Sequence, residues 1–238
     1  MSLAITNMPP CGFGNRVLYY YNLRQLSLEK GCDFFCVPWE GFQYFEGNLL
    51  GNPPNDGKYE NLNFCLGEKF YDYDHISTRG VFKLKHKVEI EKGTCAIHFR
   101  GTDFHSWNPD AVLKKSYYCD SIVCIEDEIK NFILFTDDPS LESYQVVVNY
   151  LKQKNKNFYV GQNTHDRNQY IRDFSIMSEC DTIISSPSTF CISAGFVGKK
   201  KRIIHSREWV TDRVNKQDKF WVDLYNGGNE DYKTWRLM

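Results

Sequence analysis

Four short segments carry side chains suited to gripping an anion, and each follows an apolar run and precedes a helix-like pattern. The first is Gly12-Phe13-Gly14-Asn15-Arg16. Its glycines let a ligand approach the backbone, and a helix starting there offers free N–H groups to negative charge. The second is His98-Phe99-Arg100-Gly101-Thr102-Asp103. Strand alternation directs His98, Arg100 and Thr102 to one side, and an arginine at a strand end suits two-pronged recognition of phosphate. The third is Thr136-Asp137-Asp138-Pro139. Its aspartates can cap a helix or orient a phosphate-binding arginine. They can also begin a metal shell, but no carboxylate-rich partner segment completes one. The fourth joins Asp173 and the residues around it to Ser185-Ser186-Pro187-Ser188-Thr189-Phe190, where hydroxyls meet helix N-terminal amides. The first three have plain alternatives: a βα turn, a surface Arg–Asp pair, an ordinary helix cap. Taken together at strand-to-helix junctions, the four describe a nucleotide-diphosphate site.

Such junctions need alternating strands and helices. In the first half, strands are expected at Leu3–Thr6 and Cys32–Val37, around a tight Gly12–Gly14 loop and a helix over Asn15–Glu29 that stops at Gly31. Gly47–Tyr73, rich in Gly, Asn, Pro and Asp, reads as a long loop. In the second half, apolar runs predict strands at Thr94–Phe99, Asn131–Thr136, Phe158–Val160, Thr182–Ser185 and Arg202–His205. Helices are expected at Asp138–Leu151, Arg167–Ser178 and Ser188–Val197. The pattern implies α/β architecture with parallel sheets and right-handed crossovers. It divides near Ile90–Gly93 into an N-terminal unit, residues 1–92, and a C-terminal unit, residues 93–238. A site would lie at the carboxyl ends of their strands.

Composition removes other classes. The 238 residues include 17 Phe, 15 Tyr and 5 Trp and are 42% hydrophobic, enough apolar mass to exclude disorder as the main state. With 29 basic against 30 acidic residues the net charge is −1, which argues against a general nucleic-acid or anionic-membrane binder. No signal-peptide pattern, membrane-length apolar run or internal repeat is visible, so the expectation is a cytoplasmic protein without stable membrane insertion. Nine scattered cysteines without a C-x-x-C pattern read as reduced thiols, and no metal is expected. Lys199–Arg202 reads as a solvated helix end. Trp39, Trp107, Trp209 and Trp221 serve packing or the stacking of sugars.

The order and spacing of the four segments over Gly12–Phe196 resemble the fucosyltransferase superfamily, which includes the α-1,2, α-1,6, nodulation-type and protein O-fucosyltransferases. The resemblance implies the GT-B architecture, two Rossmann-like domains facing a central cleft, here with the first trimmed. It implies inverting, metal-independent transfer of L-fucose from GDP-β-L-fucose to a glycan or glycoprotein acceptor, with no further cofactor. By the same resemblance, Arg100 binds the β-phosphate and His98 and Asp173 contact guanine or ribose. Ser188 and Thr189 reach phosphate oxygens, with Phe190 beside them. Gly12, Phe13, Gly14 and Asn15 line the pyrophosphate and reaction centre. One of Asp137 and Asp138 orients Arg100 or touches the donor. Many relatives carry a second arginine where this chain has Gly101, and no glutamate follows the motif. Asp103, His105 and Asp110 are the candidate bases, or the departing phosphate takes the proton. A related GDP-deoxyhexose transferase and a binding module without turnover are the alternative readings.

Overall fold

Short apolar runs become parallel strands in both halves of the chain. The computed structural model describes residues 2–53, 57–62, 82–161, 169–198, 202–217 and 235–238. In the first half, β1 (Ser2–Ile5) lies between β2 (Phe34–Cys36) and β3 (Tyr59–Asn61), parallel to both. The β1–β2 crossover is α1 (Phe13–Lys30), closed by Gly31 in the left-handed conformation at φ 57°. A single turn, α2 (Gly41–Tyr44), follows β2. Aromatic rings fill the space beside α1: Tyr20 lies 5.7 Å from Trp39 and Phe45 lies 4.9 Å from Phe82.

The second half forms a six-stranded parallel sheet in the order β6-β5-β4-β7-β8-β9. Its elements run β4 (Thr94–Phe99), α3 (Phe104–Trp107), a 3-10 turn (Pro109–Ala111), α4 (Lys115–Val123), β5 (Asn131–Thr136), α5 (Glu142–Gln153) and β6 (Asn157–Val160). They continue with α6 (Gln169–Glu179), β7 (Thr182–Ile184), α7 (Thr189–Val197), β8 (Arg202–His205), α8 (Arg207–Asn215) and β9 (Trp235–Leu237). Every residue of β4 and β7 is buried, as expected where helices cover a parallel sheet. α4 packs on α5 and α6 on α7, as crossovers of one hand on either side of β4 require.

Several expectations are corrected. Phe13 and Gly14 lie in α1 rather than in a loop, with Gly12 as N-cap. The second glycine serves helix packing, described below, and not a turn. α5 begins at Glu142 because Asp138 first closes a turn, its Oδ1 accepting the Ser140 N–H at 2.9 Å. The loop assigned to Gly47–Tyr73 contains β3, whose polar Tyr-Glu-Asn sequence hides a strand paired to β1. Residues 54–56 and 63–73 of that loop, residues 167–168 of the expected α6 helix, Lys199–Lys201 and Trp221 lie outside the described residues. No sequence pattern predicts α2, α3, α4, α8 or β9.

Candidate functional site

The strand order reverses between β4 and β7. From β4 the chain moves outward to β5 and β6, and from β7 it moves the other way to β8 and β9. The loops leaving the two strands therefore diverge and open a crevice, the usual binding position of doubly wound sheets. Arg100–Asp103 leave one strand here and Ser185–Ser188 leave the other.

Arg100 is held on both prongs. Its Nη1 meets Asp137 Oδ2 at 2.7 Å and its Nη2 meets Asp103 Oδ1 at 2.8 Å, and the side chain remains 33% exposed. The Phe104 ring lies 5.5 Å from the guanidinium. Asp137 also accepts the Gly101 N–H at 2.8 Å and the Thr102 hydroxyl at 2.7 Å. Sheet register explains the meeting: Phe99 pairs with Thr136, so the residues after each strand emerge side by side. The two aspartates divide the work. Asp137 positions Arg100, whereas Asp138 binds Ser140, whose hydrogen bonds pull its carboxyl below the ordinary range with help from His105. His105 Nε2 stands 4.0 Å from Asp138 Oδ2. Asp110 sits in the 3-10 turn, its N–H on Asn108 Oδ1 at 3.2 Å. At Gly101 a Cβ would lie 2.9 Å from Asp138 Cβ and Leu141 Cδ1, so a second arginine there would require local rearrangement.

His98 meets the residues that follow β7. It is 7% exposed, with Nδ1 2.7 Å from Ser186 Oγ and its ring 6.0 Å from Phe190. Burial pulls its pKa down to about 4; nearby Arg100 adds to the shift and Asp137 opposes it. The imidazole is thus neutral near pH 7 and adds no charge to the crevice. A parallel pair stands one strand over, with Ser185 Oγ 2.7 Å from His205 Nδ1 and burial lowering His205 to about 3. Tyr117 and Tyr118 of α4 brace this floor. The Tyr117 hydroxyl donates toward the carbonyls of Ser185 (2.9 Å) and Ile204 (2.8 Å), and the Tyr118 hydroxyl toward that of His98 (3.3 Å).

The first half of the chain meets the crevice through α1. A Cβ on Gly14 would lie 2.5–2.6 Å from backbone atoms of Thr189 and Phe190, so the two helix starts touch only because residue 14 has no side chain. The Thr189 hydroxyl donates to Asn15 Oδ1 across this junction. Ser188 caps α7 by accepting the Phe190 N–H at 3.3 Å, while Gly12 begins α1 without a side-chain cap. Two positive helix ends therefore converge, one of them following β7, the strand next to β4. Phe13 does not line this space. Its ring is buried among Trp39, Phe45 and Phe174, the last 5.0 Å away, and its role is packing.

Asp173 lies on α6, half-buried, beside Phe174, whose ring is 5.5 Å from Phe190. Gln169 Nε2 donates to its Oδ1 at 2.7 Å. Burial raises its pKa to about 6 against the opposing effects of Gln169 and Arg172. Trp39 and Trp209 are buried, whereas Trp107 is 63% exposed.

Two groupings emerge: Arg100 with Asp137, Asp103 and Thr102, and Asn15 with Gly14, Thr189 and Phe190. His98 connects them through Phe190. No hydrogen bond joins Asp173 to either. Sequence reasoning gave no separate role to Ser186, the partner of His98, or to the α4 tyrosines. Ser186 lies within the Ser/Thr cluster, but hydropathy leaves no trace of α4, whose buried face includes two tyrosines and a serine. Among the described residues no group of three or more His, Cys, Asp or Glu side chains is placed to hold a metal ion. No helix among them is long and apolar enough to cross a membrane. No protein-family model matches the chain, and no curated protein matches it in sequence.

Proposed function

We propose that the protein is an inverting, metal-independent glycosyltransferase that moves L-fucose from GDP-β-L-fucose to a glycan acceptor in a GT-B arrangement. One observation carries the reading: at the switch point an oriented arginine follows β4, and the helix start that follows the neighbouring β7 abuts the start of α1. That combination suits a pyrophosphate. In the proposed reaction an acceptor hydroxyl attacks C1 of the sugar opposite the phosphate. The C1–O bond breaks, its electron pair stays on the β-phosphate oxygen, and the hydroxyl proton passes to Asp103. Arg100, positioned by Asp137, stabilises the charge that develops on the leaving GDP, usually the largest catalytic contribution in such a site. Asp173 would accept hydrogen bonds from guanine.

A second reading, a nucleotide-sugar-binding module without turnover, is favoured by Gly101, which leaves Arg100 without a neighbouring arginine. Calorimetry in chelator, followed by an assay of fucose release from GDP-fucose, separates the two. The transferase reading expects GDP to bind without metal, in preference to UDP, and fucose to be released. Binding without release supports the module. Binding only after magnesium or manganese is restored would refute the metal-independent site.

A further inference from the structure

The two carboxylates on Arg100 are held unequally. Asp137 is 23% exposed and has three partners: Arg100 Nη1, the Gly101 N–H and the Thr102 hydroxyl. Asp103 is 60% exposed, meets Arg100 Nη2 at 2.8 Å, and stands at the start of a helix of only four residues. The Thr102 hydroxyl lies 3.4 Å from Asp103 but 2.7 Å from Asp137, so its single proton belongs to Asp137. Exposed pairs of the Arg100–Asp103 kind contribute little net stability, so a stronger anion on Nη2 can replace the carboxylate at little cost.

We propose that Asp103 is an internal occupant of the anion position on Arg100, displaced by the donor's diphosphate. Asp137 keeps Nη1 and holds the guanidinium plane in place. The entering phosphate takes Nη2, where it adds the charge-assisted contacts that favour phosphate on arginine. The displacement rests on the transferase reading and deepens it. Until the donor is seated, the carboxylate that would take the acceptor's proton is neutralised by Arg100. Once the donor is seated, that carboxylate is released from Arg100. The site thereby imposes an order, donor before acceptor, and couples the base to the presence of the leaving group. No covalent step is added: one carboxylate–guanidinium contact breaks and one phosphate–guanidinium contact forms.

The two aspartates should then respond with opposite signs. Asp103→Asn removes an internal competitor and a like charge beside the phosphate, so GDP and inorganic pyrophosphate should each bind at least about threefold more tightly, while transfer falls at least tenfold. Asp103→Ala should tighten binding similarly, which attributes the gain to lost charge and not to a new amide contact. Asp137→Asn should weaken both probes, because Arg100 loses its anchor. Calorimetry without metal reads the affinities, and fucose transfer reads the rate. Unchanged or weaker pyrophosphate binding by both Asp103 variants would overturn the displacement, even if transfer is lost and Asp103 acts as a base. Pyrophosphate tightening in variants that do not bind GDP would keep the displacement and refute the nucleotide reading. Equal losses of affinity at Asp103 and Asp137 would reduce both to structural partners of Arg100.

Discussion

The two sheets are built from different material. In the first unit, strands of three or four residues lie beside rings packed on rings, with Phe13, Tyr20, Trp39, Phe45 and Phe82 around α1. In the second, β4 and β5 run six residues each, and Ile97, Leu134, Ile183 and Ile203 form a fully buried centre. Long strands in fixed register place the residues that follow them to within a side chain's reach. Accordingly the charged groups at the crevice (Arg100, Asp137, Asp103) come from the second unit, whereas the first contributes a helix start and Asn15. A change in the second unit's loop should strike chemistry with little effect on stability, and a change at the junction should strike both.

Arg100→Lys tests the chemical side of this division and carries the largest expected effect. Lysine keeps the charge but loses the planar fork that engages Asp137 and a phosphate together. Losing one preorganised donor to a developing oxyanion costs about 10²–10³ in kcat, roughly 2.7–4 kcal/mol. Gly101 leaves no arginine to compensate. The melting temperature should stay within about four degrees, since a partly exposed ion pair contributes about 0–1 kcal/mol. A fall in transfer of less than about fivefold in the folded variant would return Arg100 to the status of a surface residue.

Gly14→Ala tests the junction. Its methyl would fall within 2.6 Å of the Phe190 and Thr189 backbone, where no flexible side chain can yield. Overpacking of this kind costs about 1–3 kcal/mol, hence a melting temperature roughly 3–10 °C lower in a chain of this length. GDP affinity should fall with it. Gly12→Ala is the matched control. No atom lies within 4 Å of a Cβ there and φ is −62°, so the lost N-cap preference for glycine is offset by a less flexible unfolded chain, and thermal scans should place it within about 0.5 kcal/mol of the parent. Equal melting points for the two variants would mean that α1 and α7 do not hold each other.

The parallel strands of the second half are legible in the sequence because β4, β5, β7 and β8 are short apolar runs bounded by polar residues. β3 is not, since Tyr59-Glu60-Asn61 carries no apolar signal and exists only through its pairing with β1. α4 escapes for a related reason: its buried tyrosines serve hydrogen bonds to strand carbonyls. At the site, residue types are legible but partners are not. Nothing local distinguishes Asp137 from Asp138. Only the register Phe99 with Thr136 puts Asp137 beside Gly101 and leaves Asp138 to close a turn. In the same way, the pairing of Ile97 with Ile184 carries the sheet toward the meeting of His98 and Ser186, 88 residues apart in the chain. Phe13 fails in the opposite direction. Its place between two glycines suggests a ligand loop, yet the long aromatic side chain finds a core of rings.

Apart from the Gly12→Ala control, Asp173→Asn carries the smallest expected effect and probes a group joined to neither cluster. Burial raises the folded carboxyl to about 6, above an unfolded value near 3.9. The folded protein therefore binds more protons than the unfolded chain between about pH 4 and 6. Through that window this group makes stability fall as pH rises, and above it the full penalty remains. A shift of about two units corresponds to roughly 3 kcal/mol, which solvent at a half-buried site reduces to about 1–2 kcal/mol. Asparagine removes the charge and still accepts from Gln169 through its Oδ1. The variant should therefore be about 1–2 kcal/mol more stable than the parent at pH 8 and equal to it near pH 4. His98 and His205, held neutral to about 4 and about 3, run the other way: they lose stability as pH falls below 6.5. They are common to both proteins and cancel in the difference. GDP affinity should move oppositely to stability, weakening in the variant at pH 8 because guanine's N–H donors lose an ionised acceptor. Denaturant titrations from pH 4 to 8, paired with GDP calorimetry, measure both. A stability difference that does not change across that range would show that burial is not what raises Asp173, and an unchanged GDP affinity would remove Asp173 from the nucleotide site.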